Sequence, residues 1–168
     1  MLIAQHFGCI HNHRRYLIKC TFNDTIQRVL TFPLPIERVW SAITDPAEVR
    51  KWVGDRSQYD LRESGEGFLR WEGESFRMRI VVLEPLHLFT YRWATSHESD
   101  FSVPFEQVTQ TLVEYVLKQV PDGTRLTLTE SGFASHPEQK RGENYADNVQ
   151  GWDDELDELL EYLVGDQT

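Results

Sequence analysis

The sequence predicts an α+β domain in which about six to seven antiparallel strands carry two short helices after the first strand and one long helix at the C-terminus. Three observations predict it. Turn signals cut the middle of the chain into short β-prone pieces whose connections are too brief for parallel crossovers. Two helical patterns stand back to back after the first strand, and an amphipathic pattern runs from about Pro137 to Leu163. A helix laid across a sheet whose inward positions are rich in Tyr and Trp tends to enclose a hollow, and there the function is expected.

At 168 residues and 40% hydrophobic content the chain suffices for one domain with a core, and falls short of two. We read residues 1–23 as an N-terminal extension, 24–164 as the domain and 165–168 as a short tail. Twenty-seven acidic against seventeen basic residues give a net charge of −10, which repels phosphate backbones and anionic bilayers, so nucleic acid is not an expected partner. No apolar run approaches the ~20 residues of a membrane span. Met1–Ile10 lacks the charged start and apolar middle of a signal peptide. The expectation is a cytoplasmic protein without membrane insertion. Cys9 and Cys20, the two cysteines, both precede the domain, so disulfides are not expected to hold it together.

The first 23 residues contain no acid and include Arg14, Arg15 and Lys19, which sets them apart as a tail, an extra strand or a targeting segment. Cys9, His11 and His13 alternate, with His6 and Cys20 nearby. These are soft-metal ligand types, but without a recognised paired spacing, so no metal is expected.

Thr25 to Phe32 is β-prone and stops at Pro33-Leu34-Pro35. Ile36, Val39, Trp40 and Ile43 then recur at helical spacing behind Pro35. Asp45-Pro46, with Glu48 three residues after Asp45, reads as an N-cap and capping box for a second short helix to about Trp52. Strands follow at Gln58 to Glu63, Phe68 to Glu72, Phe76 to Leu83, Leu88 to Ala94, Thr109 to Val120 and Thr124 to Gly132. The longer stretch Thr95 to Gln107, with Phe101, Val103 and Phe105, is a loop suited to folding over an opening. Ser135 and Glu138 have capping-box spacing ahead of the last helix. Val149, Trp152, Leu156, Leu159, Leu160 and Leu163 form its apolar stripe, and Asp153, Asp154, Glu155, Asp157, Glu158 and Glu161 its solvated faces. At ~1.5 Å per residue that helix spans about 40 Å. Gly142 and Gly151 inside it suggest a bend or a close approach.

Several of these pieces together resemble a known group. Pro33-Leu34-Pro35-Ile36-Glu37-Arg38-Val39-Trp40-Ser41-Ala42-Ile43-Thr44-Asp45-Pro46, Trp52, Leu83-Glu84-Pro85 leading to Tyr91-Arg92-Trp93, Gly123 to Thr129, Gly132-Phe133, and Gly151-Trp152 with Leu156 and Leu160 are similar to the START-related (SRPBCC) superfamily. Within it they are similar to homologues of the heat-shock-protein-90 ATPase activator. The resemblance covers about Thr25 to Leu163. It implies a helix-grip fold, a curved antiparallel sheet gripping the C-terminal helix, with a cavity that in various relatives takes lipids, polyketides, hormones or other apolar molecules. Met1 to Asn23 has no counterpart in the usual pattern, and nothing here matches the extra N-terminal domain of the co-chaperones.

Alternation places Phe76, Met78, Ile80 and Val82 on one face, and likewise Phe89, Tyr91 and Trp93; Val113, Tyr115 and Leu117; and Leu126, Leu128 and Glu130. The candidate wall or mouth residues are Trp40, Trp52, Met78, Tyr91, Trp93, Tyr115, Glu130 and Trp152, since a pocket wants apolar walls with a few polar tips. Individually each also reads as ordinary core filling. Glu130 is the anomaly: in phase with Leu126 and Leu128 it points inward, where a carboxylate needs a partner, with Arg70 and Arg92 as candidates, unless it lies at a solvated strand end. The expected function is non-catalytic binding of a small hydrophobic or amphipathic molecule, with no cofactor. The alternatives are a polyketide-cyclase-like enzyme with Glu130 as base and Tyr115 or Tyr91 as acid or oxyanion donor, and a module that regulates a chaperone or other stress partner through its surface.

Overall fold

The structure, a computed structural model, describes residues 24–54, 56–71, 73–94 and 102–165. Cys9, His11, His13 and the rest of the basic extension lie outside the described residues. Seven strands form one curled antiparallel sheet in the order β1-β7-β6-β5-β4-β3-β2. They are β1 (Thr25–Phe32), β2 (Arg56–Tyr59), β3 (Glu66–Trp71), β4 (Glu74–Glu84), β5 (Leu88–Ala94), β6 (Gln110–Val120) and β7 (Gly123–Ser131). Helices α1 (Ile36–Thr44) and α2 (Pro46–Val49) follow β1, and α3 (Glu138–Val164) closes the chain.

The prolines act as expected. Pro35 is the N-cap of α1, and the Asp45 side chain caps α2 by accepting from the Ala47 amide at 2.8 Å. Glu48 does not reach back to complete the box: it binds Lys51, Arg38 and the Tyr162 hydroxyl, and α2 ends at Val49, followed by hydrogen-bonded turns in place of the expected helix to Trp52. The predicted box at the start of α3 is also absent. Ser135 lies in a short 3-10 turn (Phe133–Ser135), where its hydroxyl donates to the Gly132 carbonyl at 2.7 Å, and Pro137 takes the N-cap position.

The β6–β7 hairpin needs its glycine. Gly123 has φ +131°, and a Cβ there would stand 2.0 Å from the Phe32 carbonyl oxygen on the neighbouring strand. A register shift between Ile80 and Val82 changes the phase of β4, so Leu83, opposite Phe89, packs against the core in place of the expected Val82. The described part of the loop before β6 does not cover an opening. Phe105 is buried on the outer sheet face, beneath the Arg77 and Arg79 guanidinium groups at 5.4 and 4.9 Å, and Arg77 donates to the Val103 carbonyl.

On the inner face the two halves of the sheet differ. Over β1 and β7 the interior is filled: Ile26, Phe32, Leu126, Leu128 and Phe133 are buried, and Tyr145 of α3 packs edge-on to Phe133. The second half of α3 buries Trp152, Leu156, Leu159 and Leu163, whereas Leu160, about 100° further round the helix than Leu159, is 41% exposed. The helix is tied across the sheet by Arg28 of β1 to Asp153, by Trp71 of β3 to Glu155, and by Lys51 and Glu48 of the α2 region to Tyr162. No helix among the described residues is long and apolar enough to cross a membrane.

Candidate functional site

On the side facing β2 to β6, the first half of α3 carries no large apolar side chain. Lys140, Asn144, Asp147, Asn148 and Gly151 recur at helical spacing on the side facing β2 to β6, and all five border a hollow of about 610 Å³. Its floor is aromatic and aliphatic: Tyr59 and Leu69, Trp71 and Phe76, Met78 and Phe89, Tyr91 and Trp93, and Tyr115. Ile43, Val49, Trp52 and Val53 close the end beneath α1 and α2. The chamber exists because a large-residue sheet faces a helical segment of short or polar residues. Gly151 shows this directly: a Cβ placed on it, or on Gly142, meets nothing within 4 Å, so neither glycine marks a close approach.

Of the eight candidate wall residues, Trp52, Met78, Tyr91, Trp93 and Tyr115 border the hollow from the sheet and α1–α2 side, and Trp152 borders it from α3. Trp40 does not: it is half-buried on α1, packed against the core apart from the lining. Glu130 does not border the hollow either. It lies behind the wall, fully buried, and accepts from Thr111 Oγ1 at 2.5 Å, Trp152 Nε1 at 2.6 Å, Trp93 Nε1 at 2.9 Å and Asn148 Nδ2 at 2.9 and 3.1 Å. The carboxylate therefore clamps two wall indoles and α3 to β7. Neither Arg70 nor Arg92 is its partner, and the strand-end reading fails. Burial pushes its carboxyl above the ordinary value, while the four neutral donors pull the other way.

Both indoles so held border the hollow. The Trp152 ring meets Tyr115 edge-on at 6.2 Å and Trp93 at 6.3 Å. Tyr91 and Tyr115 share a hydroxyl hydrogen bond, and burial raises both phenols above 10, so neither ionises near neutral pH. Tyr59 donates to the Thr44 carbonyl at 2.9 Å.

Sequence reasoning missed Glu155, which it placed on a solvated face. Three residues after Trp152, it shares that residue's side of the helix. It borders the chamber and accepts from Trp71 Nε1 at 2.5 Å. Its carboxyl is raised to about 7, first by burial and further by Glu158 and Asp154, with the Trp71 bond opposing. Asn148, four residues before Trp152, was legible by the same spacing; Thr111, two residues from the Val113 that pairs with Glu130 across the β6–β7 hairpin, was missed because the turn signal alone did not fix that register. Among the described residues no group of three or more His, Cys, Asp or Glu side chains is placed to hold a metal.

The sheet, the grip of α3 and the chamber between them define a START-like (SRPBCC) helix-grip domain. The chain belongs to the family described as Activator of Hsp90 ATPase homolog 1-like protein, whose profile matches residues 33–164. Similar solved structures include protein MLL2253 from Mesorhizobium loti, with 22% identity, TM-score 0.68, and 83% of this chain and 96% of that one covered. CalU16 from Micromonospora echinospora has 26% identity and TM-score 0.61, covering 83% of this chain and 76% of that one. The Aha1 dimer from Colwellia psychrerythraea has 18% identity and TM-score 0.66, covering 83% and 95%. No curated protein sequence matches the chain.

Proposed function

We propose that this protein binds a small hydrophobic or amphipathic molecule in the chamber between sheet and α3, without transforming it. The observation that carries this reading is the chamber itself: about 610 Å³, within the ~300–1,000 Å³ typical of small-molecule sites. Its deep side is aromatic, and its polar groups gather along one helix, which suits a guest with one polar end. The cyclase-like alternative needs an acid–base pair in contact with the guest. Glu130 sits behind the wall with both oxygens accepting from protein donors, and the Tyr91 and Tyr115 phenols hold their protons tightly, which favours binding over catalysis.

Four of the five tryptophans, Trp52, Trp71, Trp93 and Trp152, border the hollow, so a neutral fluorophore such as N-phenylnaphthylamine should bind saturably and quench them. Gly151→Leu is the matching block, because it puts a side chain into open space on the chamber wall while favouring the helix by up to about 1 kcal/mol. We expect it to weaken the probe at least about tenfold with the fold retained. Unchanged binding in the variant would remove the chamber from consideration.

A further inference from the structure

One corner of the chamber combines aromatic rings with a buried carboxyl that no cation offsets among the described residues. Trp71, Phe76 and Trp93 meet pairwise, with ring centres 5.4, 5.8 and 5.8 Å apart, and all three border the hollow. Glu155 is joined to this group by the bond from the Trp71 indole to its Oε1. Its other oxygen, Oε2, is buried and has no hydrogen-bond partner among the described residues. A buried acceptor left without a donor costs about 1–3 kcal/mol, more when charged. Such a group in a cavity wall is satisfied when a guest supplies the donor.

The sign of the missing donor follows from its surroundings. The charged residues that border the chamber are Lys140, Asp147, Asp154 and Glu155, three acids against one base. No cation pairs with Glu155 among the described residues, and Asp154 and Glu158 add to the negative field on it. An anionic guest meets repulsion here. A neutral donor answers the hydrogen bond but leaves the field unbalanced. A protonated amine answers both, and although Trp71 turns its N–H edge to Glu155, the π-systems of Trp71, Phe76 and Trp93 in the same corner attract cations. The terminal torsion of a Glu side chain is broad, so the carboxyl can turn an oxygen toward a guest with little cost.

We propose that the guest is an amphipathic amine, whose ammonium group docks between Glu155 and the Trp71, Phe76 and Trp93 rings while its apolar body fills the chamber toward Tyr91 and Tyr115. This assignment rests on the small-molecule-binding reading above and names the chemical class it leaves open. Lys140, at the other end of the polar stripe, fixes no charge beside Glu155: fifteen positions separate the two on α3, about 22 Å along its axis.

The test is calorimetric titration of the full chain with three probes of one size: naphthylethylamine, naphthylethanol and naphthylacetate. The amine should bind about tenfold tighter than the alcohol, and the acetate weakest. Glu155→Gln, which keeps an acceptor for the Trp71 indole, should bring amine and alcohol to within about threefold of each other. Amine and alcohol binding alike to the parent protein would overturn the amine assignment and leave the binding chamber standing. An amine preference that survives in Glu155→Gln but disappears in Asp154→Asn would overturn the role of Glu155. If none of the three probes binds saturably, the chamber reading fails with it.

Discussion

Removing the charge of Glu130 while keeping its shape tests the clamp behind the chamber wall. In Glu130→Gln one oxygen remains. Placed where Oε1 lies, it still accepts from Trp93, Thr111 and Asn148, but the new amide NH2 then faces the Trp152 indole N–H. Asn148 can turn its own amide to offer an oxygen; an indole has no such freedom. The buried Trp152 N–H is left without an acceptor, at about 1–3 kcal/mol, and the surviving bonds lose their charge-assisted strength. Relief from burying a carboxylate, visible in its raised pKa, offsets part of this. The expected net loss is about 2 kcal/mol, read as a lower urea midpoint at unchanged m-value. A double-mutant cycle isolates the pair, because Trp152→Phe deletes the N–H that the Gln would strand. The coupling energy should then be about 2 kcal/mol, and a value below about 0.5 kcal/mol would refute the clamp.

Other consequences follow from named groups. The Glu155 carboxyl is raised to about 7 from 4.5 in the folded protein, so the folded state holds its proton more tightly than the unfolded chain does. Its contribution to stability is full below pH 4.5, is lost as pH rises through about 7, and amounts to about 3 kcal/mol at ~1.4 kcal/mol per pH unit. The groups acting on it are Asp154 and Glu158 on α3 and Trp71 from β3. Glu155→Gln should therefore flatten the stability profile between pH 5 and 8 relative to the parent, and parallel profiles would contradict this. Gly142→Ala, at an exposed helical position with open space around the new Cβ, should stabilise by about 1 kcal/mol, seen as a melting temperature higher by about 2–4 °C. A decrease there would mean that the α3 backbone at Gly142 is not ordinary helix.

The order and type of the elements were legible because each rests on local chemistry. Pro33 and Pro35 end β1 and open α1, Asp45 caps α2, the Asp122-Gly123 turn closes a hairpin, and the Trp152 to Leu163 spacing needs only helical periodicity. The departures arose where a local rule met a long-range competitor. Glu48 answered Tyr162 from the far end of the chain instead of its own helix start, and the bulge in β4 gave the core position to Leu83. Phe105 found the outer sheet face, where two arginines cover it.

By itself the sequence determined that a large aromatic face would lie beneath a long helix, and it set Glu130 in phase with inward leucines while leaving a solvated strand end open. Tertiary structure alone decided that the first half of the helix leaves a hollow over β2 to β6 while the interior over β1 and β7 is filled, and that Glu130 binds Trp93, Thr111, Asn148 and Trp152 behind the wall. Residues 93, 111, 130, 148 and 152 lie on four separate elements, and no periodicity within one element encodes which others it will meet. The hollow depends on the same relation, since its volume is the gap between two surfaces that each look, along the chain, like ordinary core and ordinary solvent-facing helix.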